Sequence, residues 1–139
     1  MTQRAAIDAT IDRYYAAWTA HDRELYRTVW AEGATFADPP QDGVTPPTGF
    51  EEIAAGMDDV WSRATSITYD HHMMWHCGSV AAVHMTVTMA TEGSTLAVPL
   101  IHVFRFDSEA LITRLEAFLD LSLASVVEGE RPAWMDDYP

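Results

Sequence analysis

The sequence predicts an α+β domain in which three N-terminal helices pack on one face of an antiparallel sheet. Two observations carry this. Apolar residues recur at a helical period through the first half of the chain, then alternate at a period of two from Ile67 onward. Tight-turn signals at Glu92-Gly93-Ser94 and Asp107-Ser108-Glu109 separate the alternating runs, as expected for consecutive strands joined in a meander.

The first predicted helix covers residues 3–21. Ile7, Ile11, Tyr14, Tyr15 and Trp18 form its apolar stripe, with Asp8 and Asp12 near the opposite face. His21 breaks the pattern, and Asp22 is an N-cap for a second helix running to about Ala31, with Leu25, Tyr26, Val29 and Trp30 inward. Gly33 reads as its stop signal. Residues 35–38 make a short strand. Residues 39–49 hold four prolines and two glycines, the composition of an ordered loop long enough to form a rim or lid. A third helix is expected over 50–64, with Phe50, Ile53, Ala54, Met57, Val60 and Trp61 as its buried stripe. Thr48 is its expected N-cap, and Glu51 and Glu52 favour the positive end of its dipole. Four long strands follow at 67–77, 81–91, 95–107 and 111–121. The domain is expected over 1–124, with 125–139 as an extended or loosely packed tail.

The formal charge of −13, from 8 basic and 21 acidic residues, argues against nucleic acid and anionic membrane surfaces as partners. Hydrophobic residues make up 48% of the chain, including five Trp, five Phe and seven Met. That is enough for an apolar ligand site, and equally for an ordinary well-packed core. A lone Cys77 fits a reducing compartment. The N-terminus lacks the apolar stretch of a signal peptide, and no apolar run reaches membrane-spanning length, so the expected location is cytoplasmic. His71, His72, His76 and His84 lack metal-site spacing, and neither metal nor cofactor is expected. Alternation puts His72 and His76 on one strand face and His71 on the other. An outer face carrying the histidines leaves Met85, Val87 and Met89 pointing inward.

The chemistry concentrates on Asp38, set in Phe36-Ala37-Asp38-Pro39-Pro40, and on a phenol from the first helix. A carboxylate base works best when burial raises its pKa towards working pH, and Phe36 and the two prolines promise apolar surroundings. The bland reading is a carboxylate starting a proline turn. Tyr14 and Tyr15 differ by about 100° around the helix, so one is expected on the pocket and the other on the sheet. His102 shares a strand face with Leu100 and Phe104, and Asp120 shares one with Phe118. His102 reads equally as a pocket residue and as a satisfied core histidine, and Asp120 as a second acid or a solvated strand end.

Three segments resemble the nuclear transport factor 2-like superfamily over about residues 5–124. They are Tyr14-Tyr15-Ala16-Ala17-Trp18-Thr19-Ala20-His21-Asp22, Ala34-Thr35-Phe36-Ala37-Asp38-Pro39, and Ile101-His102-Val103-Phe104-Arg105-Phe106-Asp107 with Ile112. The resemblance implies a cone: a curved sheet wrapped by helices around an apolar pocket. Trp18, Met57 and Trp61 from the helices, with the inward strand residues already named, are then its expected lining. Within the superfamily the chain is similar to ketosteroid isomerases, a worked example of tuned acids in protein chemistry. That similarity implies Asp38 as general base and Tyr14 as donor to a developing enolate oxygen. It also implies a small hydrophobic carbonyl ligand and a homodimer. His102 stands where those enzymes carry a protonated acid. Asp120 resembles the acid position of SnoaL-like polyketide cyclases and limonene epoxide hydrolases. A non-catalytic ligand-binding or interaction module of the same shape is the alternative.

Overall fold

The computed structural model describes residues 2–137. Met1, and Tyr138 and Pro139 of the expected tail, lie outside the described residues. Three helices, α1 (Gln3–Ala20), α2 (Arg23–Arg27) and α3 (Phe50–Trp61), pack on a curved six-stranded sheet. Its strands are β1 (Trp30–Ala37), β2 (Ala64–Cys77), β3 (Val80–Thr91), β4 (Ser94–Phe106), β5 (Ile112–Leu119) and β6 (Ser125–Gly129). The order is β1-β5-β4-β3-β2, and β6 pairs with β4. The long strands are antiparallel, whereas β1 runs parallel to β5. β3 occupies one edge of β4 along its length. The other edge is shared, with β5 on Leu100–Phe106 and β6 on Ser94–Ala97.

The stripe of α1 is buried, with Ile7, Ile11, Tyr14, Tyr15 and Trp18 all in the main core. Thr2 caps its N-terminus through its hydroxyl, and His21 ends it in the left-handed conformation. Asp22 caps α2 as expected, accepting from the Leu25 amide at 3.0 Å. α2 is much shorter than the expected helix. The Val29 carbonyl accepts from the Ile112 amide at 2.8 Å, so the chain has already turned into the sheet at Trp30. Gly33 is therefore not a helix stop. It lies within β1 at φ +71°, in the stretch where the β1–β5 register shifts, and that conformation favours glycine.

α3 ends at Trp61, three residues before the expected limit, and Ser62 closes it by donating its hydroxyl to the Asp59 carbonyl at 2.6 Å. Its N-cap is Gly49, not Thr48. The Thr48 hydroxyl instead donates to the Pro46 carbonyl at 3.0 Å, and Thr48 bridges to Thr35. The proline-rich loop is thus tacked to β1, and its first peptide, Asp38–Pro39, is cis.

A register shift in β2 between His71 and Met73 changes which face its side chains take. His72 donates or accepts at the Thr86 hydroxyl at 2.8 Å, on the outer face beside His84. His76 meets Asp8 of α1 at 2.6 Å, on the helix-covered face. The two histidines therefore do not share a face, because the irregularity reverses simple alternation. In the expected tail, β6 is followed by a short 3₁₀ helix, Ala133–Asp137, whose Met135 is buried with Leu96 and Val98. No helix among the described residues is long and apolar enough to cross a membrane.

Candidate active site

β4 alternates strictly. Leu96, Val98, Leu100, His102, Phe104 and Phe106 are buried on the helix-covered face, with Ile101 and Arg105 exposed behind them. His102 pairs with Val83 on one side and Ala117 on the other, so it sits in mid-sheet. α1 crosses that face and places Tyr14 perpendicular to His102, their rings 5.7 Å apart. β1 brings Phe36 to within 6.5 Å of Tyr14 and 6.4 Å of His102, and Asp38 follows at the end of that strand. Tyr14, Asp38 and His102 line one cavity of about 160 Å³. The rest of its wall is mainly apolar and includes Trp18, Phe36, Val87 and Leu100.

Asp38 is exposed, at the cavity mouth. The expectation of a desolvated carboxylate needs that correction: Phe36 is buried, but the chain leaves the sheet before Asp38. Arg63 and Trp134 frame the same opening, with the guanidinium 5.8 Å from the Trp134 ring and 3.3 Å from the Asp59 carboxylate. Deeper in, burial raises the Tyr14 pKa well above its ordinary value, and the neighbouring Tyr26 and Tyr69 act in the same direction. Tyr14 is thus an un-ionised donor. Burial lowers His102 to a pKa of about 3, with nearby His71 contributing second, so its imidazole is neutral near pH 7. Behind Tyr14 the Tyr26 hydroxyl is buried close to the Trp18 and Trp30 indole nitrogens and to the Tyr14 hydroxyl, and their hydrogen bonding partly offsets the rise that burial gives its pKa. Tyr14 and neutral His102 are two buried groups of this wall that can donate to a ligand oxygen.

Other expected lining residues divide by position. Tyr15 packs beneath the cavity wall against Tyr69 and His71, and its hydroxyl lies 2.7 Å from His102 Nδ1. Met85 and Phe104 are fully buried in the core and do not reach the cavity. Met57 lines a smaller adjoining cavity of about 100 Å³ with Trp18, Phe36 and Asp38. Trp61 stacks on His21 and donates its indole N–H to the Trp18 carbonyl at 3.0 Å, away from the cavity.

Phe118 and Asp120 lie on the other side of the sheet. In β5, Leu115 and Ala117 pair with Phe104 and His102 and point inward, so Leu119 reaches the cavity while Phe118 is 46% exposed. Asp120 caps a short 3₁₀ helix, Leu121–Leu123, accepting from the Ser122 amide at 2.9 Å. Hydrogen bonds from Ser122 hold its carboxyl below the usual range, which suits a solvated cap rather than a proton donor. His102 and Asp120 therefore do not converge.

Sequence reasoning missed Tyr69, Arg63 and Trp134 as cavity residues. Tyr69 is two residues beyond buried Ile67 in β2, and alternation from Ile67 finds it. Arg63 follows α3 and Trp134 lies far along the tail, where no periodic pattern marks them.

A SnoaL-like domain profile matches residues 11–115. No curated protein sequence matches the chain. Among solved structures, RV0760c from Mycobacterium tuberculosis superposes with a TM-score of 0.78 at 18% identity, covering 87% of this chain and 96% of that one. That protein has also been solved in complex with estradiol-17beta-hemisuccinate. A Delta 5-3-ketosteroid isomerase from Mycobacterium sp. gives 0.77 at 17% identity, covering 88% and 98%. An M. tuberculosis LEH-like epoxide hydrolase gives 0.72 at 13% identity, covering 86% of each chain.

Proposed function

The chain belongs to the SnoaL-like domain family, and from that premise we propose that it catalyses proton transfer on a small hydrophobic carbonyl compound, moving a C=C bond into conjugation. One observation carries the reading: Asp38, Tyr14 and His102 meet in a single, otherwise mainly apolar cavity. Asp38 removes the acidic proton lying between the carbonyl and the C=C bond of a β,γ-unsaturated ketone. The negative charge moves onto the carbonyl oxygen, where Tyr14 O–H and the remaining N–H of neutral His102 receive it. The Asp38 carboxylic acid returns the proton to the γ-carbon. The proton balance closes without a cofactor.

Cavity size limits the ligand. A cavity of about 160 Å³ is comparable to the roughly 150 Å³ space that holds one benzene. The reacting ring of a polycyclic substrate fits inside, and the remainder passes through the mouth beside Arg63 and Trp134. Placement of Asp120 outside the cavity weakens the epoxide hydrolase and cyclase readings that need a second acid. The exposure of Asp38 favours the other alternative, a non-catalytic carrier of hydrophobic ligands.

A spectroscopic assay separates enzyme from carrier. With a β,γ-unsaturated 3-ketosteroid, wild type is expected to produce the conjugated enone. Tyr14→Phe is expected to lose about 10²-fold in kcat, as for removal of one oxyanion donor, while keeping its buried ring and fold. Tight steroid binding without turnover in wild type would favour the carrier.

We also infer a homodimer through the outer sheet face, where Met73, Trp75, Ile101 and Phe118 are exposed, and Ile101 and Phe118 line a trough of about 470 Å³. A contiguous apolar patch of this kind marks an interaction surface. Phe118→Lys is expected to shift the sedimentation mass from dimer to monomer. A wild type that sediments as a monomer at all concentrations removes the inference.

A further inference from the structure

The hydrogen bond between Tyr15 and His102 constrains what the cavity can bind. Tyr15 is 5% exposed and His102 4%, and the tyrosine oxygen lies 2.7 Å from His102 Nδ1. Burial raises the Tyr15 pKa well above its ordinary value, so the phenol keeps its proton and has one to donate. His102 Nδ1 is the hydrogen-bond partner of that hydroxyl, and with the phenol as donor Nδ1 accepts and carries no hydrogen. A neutral imidazole has one N–H, which must then be on Nε2. Tyr15 cannot easily swing away. Its ring is held by Tyr69 at 4.8 Å and His71 at 4.4 Å, and lies nearly parallel to His102 at an interplanar angle of 23°.

His102 lines the cavity beside Tyr14. With Nδ1 engaged by Tyr15, Nε2 is the nitrogen left for a ligand. We propose that Tyr15 is a positioning residue that presents His102 to the cavity as a neutral Nε2–H donor, so that the site recognises an uncharged ketone or enone oxygen. The opposite tautomer would turn a lone pair towards that oxygen, and two acceptors would face each other. This inference rests on the carbonyl reading of the site for its ligand, but the tautomer is measured independently of turnover.

The test uses full-length protein labelled with ¹⁵N-histidine. In wild type, His102 is expected to show the Nε2–H pattern throughout about pH 5–8, the range in which an ordinary histidine titrates. Tyr15→Phe keeps the ring and removes the hydroxyl. It is expected to give a mixture of tautomers and to bind progesterone about tenfold more weakly. The carbonyl stretch of bound progesterone should also move towards its free position. A merely structural role for Tyr15 would leave the tautomer and the carbonyl stretch unchanged. An Nδ1–H tautomer in wild type, or an unchanged Nε2–H pattern in Tyr15→Phe, overturns the proposal. The wild-type spectrum decides even if the variant folds poorly. Absence of enone formation alongside a fixed Nε2–H tautomer would remove the isomerase reading and leave the Tyr15 assignment standing.

Discussion

Asp38→Asn is expected to lower kcat for the β,γ-unsaturated ketone by about 10²–10⁴-fold, the usual contribution of a positioned general base, with steroid affinity nearly unchanged. The substitution keeps the side-chain shape and removes the only property the mechanism uses, the ability to take and return a proton. Affinity is expected to survive because the mainly apolar wall supplies most of the ligand contact. Trp18 and Trp134 line the cavity, so quenching of tryptophan fluorescence reports binding in the same samples. Loss of turnover with binding intact supports the assigned base. Retained turnover would exclude Asp38 from the chemistry and turn attention to a different proton acceptor. Joint loss of turnover and binding would mean that the carboxylate shapes the mouth rather than acting on substrate.

The exposure of Asp38 bears on this outcome. A carboxylate at the mouth keeps more solvation than one sealed inside, so ligand entry must displace water from it before the proton moves. Tyr14 and His102 need no such step, because they are already buried and neutral. On the proposed mechanism the oxyanion side of the site is therefore preorganised in the empty protein. On the same mechanism the base side is expected to be completed when a ligand fills the opening between Asp38 and Trp134.

The parts of this arrangement visible in the sequence follow its periodic signals. Ile7, Ile11, Tyr14, Tyr15 and Trp18 read as one stripe, and all five are buried. The alternation of Leu100, His102 and Phe104 likewise gives their shared buried face. Other parts were lost where a period is interrupted. The irregularity in β2 turned His76 to the helix-covered face while His72 stayed on the outer one, and nothing in the residues 71–73 announces it. In β5 the larger Phe118 drew the inward assignment, while pairing of Ala117 with His102 and Leu119 with Leu100 sends Phe118 outward. The Tyr15–His102 bond joins positions 87 residues apart. Each was legible singly as a buried polar residue, but their contact depends on how α1 crosses the sheet.

That buried histidine is also expected to make the fold acid-labile. His102 has a folded pKa of about 3 against an ordinary value of 6.5. Above pH 6.5 neither the folded nor the unfolded chain binds this proton, and the full stability is present. As pH falls from 6.5 towards 3, the unfolded chain binds it and the folded chain does not, so stability is lost by about 1.4 kcal/mol per pH unit. Over the whole window the loss is on the order of 5 kcal/mol, a large share of the roughly 5–15 kcal/mol of a typical domain. Desolvation is the leading cause, and nearby His71 adds to it by opposing a second positive charge. His102→Gln supplies a neutral side chain with both a donor and an acceptor. Urea unfolding at a series of pH values is expected to show wild type losing stability below pH 6 more steeply than His102→Gln. Carboxylates common to both proteins cancel in the difference. Parallel curves would mean that His102 takes up its proton in the folded protein, and a cationic donor would then face the ligand oxygen under acidic conditions.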